Sequence, residues 1–235
     1  MKKIALAAMI AAVFAPSLAF AEAGDFVVRL RAVNVNPDVS SNLGSVAAGN
    51  YGAGGAIVAG ALVPGSNLTV DSNTIPEIEF SYYITKNIAA ELILAVGTRH
   101  DVSISGNSAG ALGNQPLGSV NLLPPTLTLQ WHFLPDTTFD PYVGAGLNYT
   151  IALDRNLATT KVIAGLPIKI DRNTFGPAIQ AGFDINLKDG WLINADVKKV
   201  WLNTDVTINA GTGFKKIDDL DIDPWVFGVG FGKKF

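Results

Sequence analysis

The chain contains no cysteine. A disulfide framework and thiolate chemistry are both closed to it, so the fold must be held by packing or by a hydrogen-bond ladder. Histidine is nearly absent, with only His100 and His132. An enzyme that needs a positioned His beside its nucleophile has little to draw on. Basic residues are outnumbered, 17 against 20 acidic, for a formal net charge of −3. That balance argues against a nucleic-acid partner, which calls for clustered Lys and Arg. Beyond the first two dozen residues no stretch has the length and continuity of a spanning helix. Residues 45–64 come nearest, but Gly49, Gly52, Gly54, Gly55 and Gly60 interrupt them and weaken any helix.

Against these absences stand a hydrophobic content of 49% and a mean hydropathy of +0.31. The N-terminus sets the compartment. Lys2 and Lys3 precede an uncharged run over residues 4–15, Pro16 and Ser17 break it, and Ala19-Phe20-Ala21 supplies the small residues of a cleavage site. Residues 1–21 are therefore expected to be a signal peptide cleaved after Ala21, with a single transmembrane domain over 22–235. An exported, apolar chain without spanning helices points to a closed barrel, because only helices and closed barrels satisfy every backbone group in lipid.

Period-two alternation recurs eight times, each run about as long as a tilted bilayer-crossing strand. Phe26, Val28, Leu30 and Ala32 alternate with Arg29 and Arg31; Ile78, Phe80, Tyr82 and Ile84 with Glu77, Glu79 and Ser81. Ile88, Ala90, Leu92 and Leu94 oppose Ala89 and Glu91, and Leu127, Leu129, Trp131 and Phe133 oppose Thr126, Thr128, Gln130 and His132. Four further runs start near Tyr142, Ala178, Trp191 and Trp225. Residues 85–87, 134–138 and 187–190 read as tight turns, whereas 37–75, 100–119, 152–172 and 203–221 read as long loops. A soluble sandwich or lipocalin-like barrel would hide its apolar face; here the apolar faces are bulky and nearly free of charge, while the opposite faces mix glycine with charges of both signs. The expected fold is all-β, an eight-stranded antiparallel transmembrane barrel with short periplasmic turns and long extracellular loops, integral to the bacterial outer membrane.

Several blocks, in order along the mature chain, resemble the outer membrane protein W (OmpW) family. They include Ala23-Gly24-Asp25-Phe26, Thr85-Lys86-Asn87-Ile88-Ala89-Ala90-Glu91-Leu92, Leu122-Leu123-Pro124-Pro125-Thr126-Leu127, Pro141-Tyr142-Val143-Gly144, Asn194-Ala195-Asp196-Val197-Lys198-Lys199, and the ending from Asp223 to Phe235. The resemblance implies a barrel that admits small hydrophobic solutes, with alkane-uptake proteins as relatives. It also implies surface loops that receive phages or bacteriocins. The first long loop departs from the family in running uncharged from Val39 to Val70.

On this reading the candidate solute path comprises Leu122, Leu123, Pro124 and Pro125, with Phe175 and the first-loop residues Ile57, Val58 and Leu62 around an apolar vestibule. Consecutive prolines remove two ladder donors, so they mark either a lateral gap or simply the loop before a strand starting at Thr126. Phe175 is either a vestibule cap or an outer girdle aromatic. Arg29, Arg31, Glu77, Glu79 and Glu91 are expected to pack the lumen as a charge network, and Phe235 to end the signal read by the outer-membrane assembly machinery. Lipid and lipopolysaccharide complete the expected surroundings. No catalytic group, cofactor or metal is expected: His100 starts a loop without a nucleophile motif, His132 packs the lumen, and Asp218, Asp219, Asp221 and Asp223 form a solvated acidic loop lacking EF-hand spacing. The alternative function is a structural, adhesion or receptor barrel like that of OmpA, with a sealed lumen.

Overall fold

The computed structural model describes residues 22–51, 60–95, 98–161, 165–211 and 213–235. The leader assigned to 1–21, and Ile57 and Val58, lie outside the described residues. Strands follow the alternation closely. They are β1 (Phe26–Asn36), β2 (Asn67–Val70), β3 (Asn73–Tyr83), β4 (Ile88–Ala95), β5 (Thr98–Ser105), β6 (Gln115–Leu123), β7 (Thr126–His132) and β8 (Phe139–Asp154). After them come β9 (Asn156–Ala158), β10 (Pro167–Ile170), β11 (Asn173–Asn186), β12 (Trp191–Val200), β13 (Asn203–Asn209), β14 (Phe214–Asp221) and β15 (Trp225–Lys234).

An antiparallel ring β1-β3-β4-β7-β8-β11-β12-β15 closes on itself through the β1–β15 and β8–β11 ladders. It is an eight-stranded barrel without an open edge. The termini meet at one end, where Phe26 N–H donates to Phe235 C=O at 3.0 Å and Phe235 N–H donates to Phe26 C=O at 2.8 Å. The same end carries the three tight turns. In one of them Asp189 and Gly190 take the left-handed backbone, with φ of 58° and 74°. By the habit of outer-membrane barrels this is the periplasmic end.

Outside and inside are sorted residue by residue. Leu127 is 58% exposed and Val229 62%, whereas their neighbours Thr128 and Gly228 are buried. A surface this apolar is compatible with lipid and not with water. Tyr82, Trp131, Phe133 and Trp191 ring the lower end, with Lys233 Nζ 5.1 Å from the Trp191 ring centre. Tyr149, Phe175, Trp201 and Trp225 ring the upper end. Glycines on the inner face of β15 make room for the arginines: a Cβ on Gly228 or Gly230 would fall on Arg31, and one on Gly232 would press on Arg29.

The long connections, expected as loops, carry strands and a helix of their own and fold into an extracellular cap. β5 and β6 form a hairpin that rises from β4 and β7, with β2 added to its edge. A second sheet, β9-β10-β13-β14, completes the opposite wall. Residues Leu43–Tyr51 form a helix (α1) despite the glycine content, packed against β14 and β2. Leu43 and Ala47, one turn apart, bury with Leu68, Ile104, Leu117, Ile168, Ile208 and Ile217 in one core. Asp218, expected in a solvated acidic loop, is buried here. Its carboxylate accepts from Ser41 Oγ and, at 2.8 Å, from Asn42 N–H, pinning the start of α1. Burial pushes this carboxyl above the ordinary Asp range.

Candidate functional site

The lumen is layered. At its foot Val27, Tyr83, Ala89 and Leu192 form a small apolar cluster, and His132 Nδ1 lies 2.7 Å from Asp140 Oδ2 between the Tyr83 and Tyr142 rings. Above it sits the charge network. Arg29 donates to Asp184 and to Ser81 Oγ, each at 2.6 Å, and approaches Glu91 at 3.5 Å. Arg31 pairs with Glu79 and Asp196. Lys198 Nζ lies 2.6 Å from Asp196, 3.0 Å from Glu79 and 3.8 Å from Glu77. Gln130 and Gln180 donate to Glu91 at 2.7 and 3.0 Å.

All five residues expected in this network are in it. Asp184, Asp196 and Lys198, on the inner faces of the later runs, tie the arginines to the far wall. Their alternation is the signal; which charge they meet across the lumen is not written in local spacing. Such a network, fully buried, is rigid because any lone charge left there would be costly.

One residue higher on each inner face, the chemistry changes. Val33, Ile75, Ala95 and Val226 form an apolar cluster. With Leu68, Val102, Val120, Leu122, Val200 and Leu220 they line a cavity of about 110 Å3 between the network and the cap. An engineered apolar cavity of roughly 150 Å3 holds a benzene, so a small or slender solute is in scale. Glu77 and Lys198 form its floor, and Thr126, Asn148 and Thr150 add a polar strip. That strip satisfies itself: Thr150 Oγ1 donates to Asn148 Oδ1 at 2.7 Å, and Asn148 Nδ2 donates to Thr126 Oγ1 at 2.8 Å.

Pro124 and Leu122 line the same cavity. The prolines do not simply precede a strand; they interrupt a long one, with β6 before them and β7 after. On the β8 side pairing is preserved, as Tyr149 N–H donates to Pro125 C=O at 2.9 Å. Towards the other neighbour, among the described residues, the β4–β7 ladder ends at Ile93↔Thr126 and the β5–β6 ladder resumes at Thr98↔Leu122. Leu123 and Pro125 sit at the break without lining the cavity. Phe175 stands on the outer face, 62% exposed, paired across the ladder with Tyr149. That position matches the girdle expectation and not the vestibule one. Leu62 is buried in the cap core and does not reach the cavity.

His100, expected to open a loop, belongs to β5 and lines the cavity; its Nδ1 donates to the Asp71 carbonyl at 2.8 Å. The cap walls carry an alternation of their own. Val102 and Ile104 alternate with Asp101 and Ser103, and Val206 and Ile208 with Asp205 and Thr207. That period-two signal was present inside segments read as loops.

Comparison with known proteins agrees with this architecture. The OmpW family profile matches residues 22–235. Outer membrane protein W of Vibrio cholerae serotype O1 is 38% identical over 98% of this chain and 97% of its own. The crystal structure of the outer membrane protein OprG from Pseudomonas aeruginosa superposes with a TM-score of 0.77 at 32% identity, covering 93% of this chain and 99% of OprG. A dibenzothiophene metabolism operon protein, PahQ of Pseudomonas aeruginosa, is 27% identical over 75% of this chain and 78% of its own length.

Proposed function

The chain belongs to the OmpW family of outer-membrane barrels, and from that premise we propose that it is a conduit carrying small apolar molecules from the cell surface into the outer membrane. The observation that carries the reading is the apolar cavity held between a charged floor and a folded cap and bordered by the ladder break at Pro124. A solute entering it leaves water, which favours transfer by about 25 cal/mol per Å2 of apolar surface buried. The charge network bars descent through the lumen, so the exit is sideways, past Leu122–Pro125, into the lipid. That step is downhill for an apolar solute and requires no energy source. PahQ, named for an operon that metabolises an apolar polycyclic compound, supports the solute class.

Export follows cleavage after Ala21, and the strand ending at Phe235 presents the signal for the assembly machinery. The cap stands among lipopolysaccharide and is the surface offered to phages or bacteriocins.

The test is uptake of a labelled alkane by cells lacking the protein, with and without this chain restored, at equal amounts of folded barrel judged by heat-dependent gel mobility. Faster alkane uptake, without a matching gain for a polar compound of similar size, is expected. Equal rates would leave a sealed structural or receptor barrel as the function. Replacing Pro124 and Pro125 together by Ala restores two ladder donors. This variant is expected to fold and to lose most of the gain, whereas undiminished uptake in a folded double variant would remove the lateral exit.

A further inference from the structure

The cavity floor carries one member of the charge network whose carboxylate is left short of hydrogen bonds. Glu91 is saturated by Ser81, Thr128, Gln130 and Gln180; Glu79 takes Arg31 and Lys198 on Oε1 and has no hydrogen-bond partner on Oε2 among the described residues, but it does not line the cavity. Glu77 belongs to the same inner face, is nine-tenths buried and borders the cavity, yet its Oε1 has no hydrogen-bond partner among the described residues. Its nearest cations, Arg31 Nε at 3.6 Å and Lys198 Nζ at 3.8 Å, lie beyond hydrogen-bonding distance. They hold the carboxylate in place without saturating it. Lys198 itself is committed to Asp196 and Glu79. At Glu77 the free capacity of the floor is for accepting. His100 lines the same cavity, with its Nδ1 donated to the Asp71 carbonyl.

We propose that Glu77 makes this cavity a site for apolar molecules bearing a hydrogen-bond donor at one end, such as medium-chain primary alcohols. This deepens the conduit reading and rests on it. The chain of the solute lies among Val33, Ile75 and Ala95, while its hydroxyl turns down to Glu77 and completes a carboxylate otherwise buried short of partners. An ether of the same size offers no donor. A carboxylate head would face Glu77 with like charge, and the Lys198 charge is already shared between Asp196 and Glu79. The site thus discriminates by head group among chains of equal apolar area.

The experiment titrates the full mature barrel, refolded in lipid nanodiscs with methyl-labelled isoleucine, with 1-hexanol, methyl pentyl ether and hexanoate. The Ile75 and Ile93 methyl signals report the cavity. Hexanol is expected to bind about tenfold more tightly than the ether, the scale of one hydrogen bond to a charged group, and hexanoate more weakly than either. In Glu77→Leu the alcohol and the ether should bind alike. Glu77→Gln, closer in shape, should narrow the ratio by offering the ether a donor, and it serves if the leucine variant fails to fold. Equal affinities in the unmodified protein, hexanoate binding as tightly as hexanol, or a preference surviving in folded Glu77 variants would each overturn the proposal while leaving the cavity a solute site. No shift with any of the three probes would overturn the conduit reading along with it.

Discussion

Arg31 and Val33 are two residues apart on β1, as are Glu77 and Ile75 on β3 and Lys198 and Val200 on β12. Within that single pleat the lumen passes from ion pairs to an apolar cavity. The halves share strands, ladders and lipid-facing surface, so the backbone does not separate them. Inward residue type alone does. Below the boundary the inner faces carry Arg29, Arg31 and Lys198 against Glu77, Glu79, Glu91, Asp184 and Asp196, with β15 glycines clearing their space. Above it they carry Val, Ile and Leu, and the wall continues past the bilayer into the cap. On the proposed function one half seals and the other receives. A barrel narrow enough to be filled by side chains can do both because each inward position is set independently of its outward neighbour.

The sharpest way to break the contrast is to remove a charge from the sealed half. Arg29→Leu leaves Asp184 and Glu91 buried without their cation. Stripping one partner from a buried pair costs about 3–5 kcal/mol, and the loss here is expected to fall in that range. Urea unfolding in lipid vesicles, followed by heat-dependent gel mobility, measures it. An unchanged midpoint would mean that water enters the network and that the lower lumen is no seal.

The receiving half should yield differently. Ile208 is fully buried in the cap core and lies outside the cavity lining. Ile208→Ala removes packing typically worth about 2–5 kcal/mol, but the loss should appear as local opening of the cap. Amides of β13 and β10 should exchange faster while those of β1 and β3 stay protected. A loss of protection spread equally over the barrel strands would show that cap and barrel unfold as one unit.

How much of this contrast is legible in the sequence depends on what alternates with what. The eight membrane strands show because lipid demands an unbroken outward apolar row, as in Leu127, Leu129, Trp131 and Phe133. The sealed half is half legible. Arg29 and Arg31 announce buried charge by alternating with bulky apolar residues, but Asp184 and Asp196 reach them across the lumen, at separations of 155 and 165 residues. The cap is hidden for another reason. Its strands lie outside the bilayer, so their outward residues are free to be polar, and short runs such as Pro167–Ile170 are indistinguishable from loop until their partners are known. The fate of Phe175 and Pro124 turns on the same point: both sit at the upper girdle, where only the ladder decides which faces lipid and which faces the cavity.

The smallest expected effect is one of pH, and it sharpens the line between cap and barrel. Asp218 holds the start of α1 through Ser41 and Asn42, and burial raises its carboxyl above the ordinary Asp value of about 3.9. A carboxyl whose folded pKa is raised takes its proton more readily in the folded cap than in the unfolded chain. Its contribution to cap stability is therefore fully present below the unfolded value and is lost as pH rises through the folded one. As pH is lowered towards about 4, α1 should gain hydrogen-exchange protection relative to an Asp218→Asn variant measured at the same pH, which cancels the intrinsic pH dependence of exchange. Barrel amides, remote from Asp218, should show no such relative gain. A relative loss at α1 on acidification would mean that the hydrogen bonds from Ser41 and Asn42 outweigh burial and that ionised Asp218 is the form that holds the cap down.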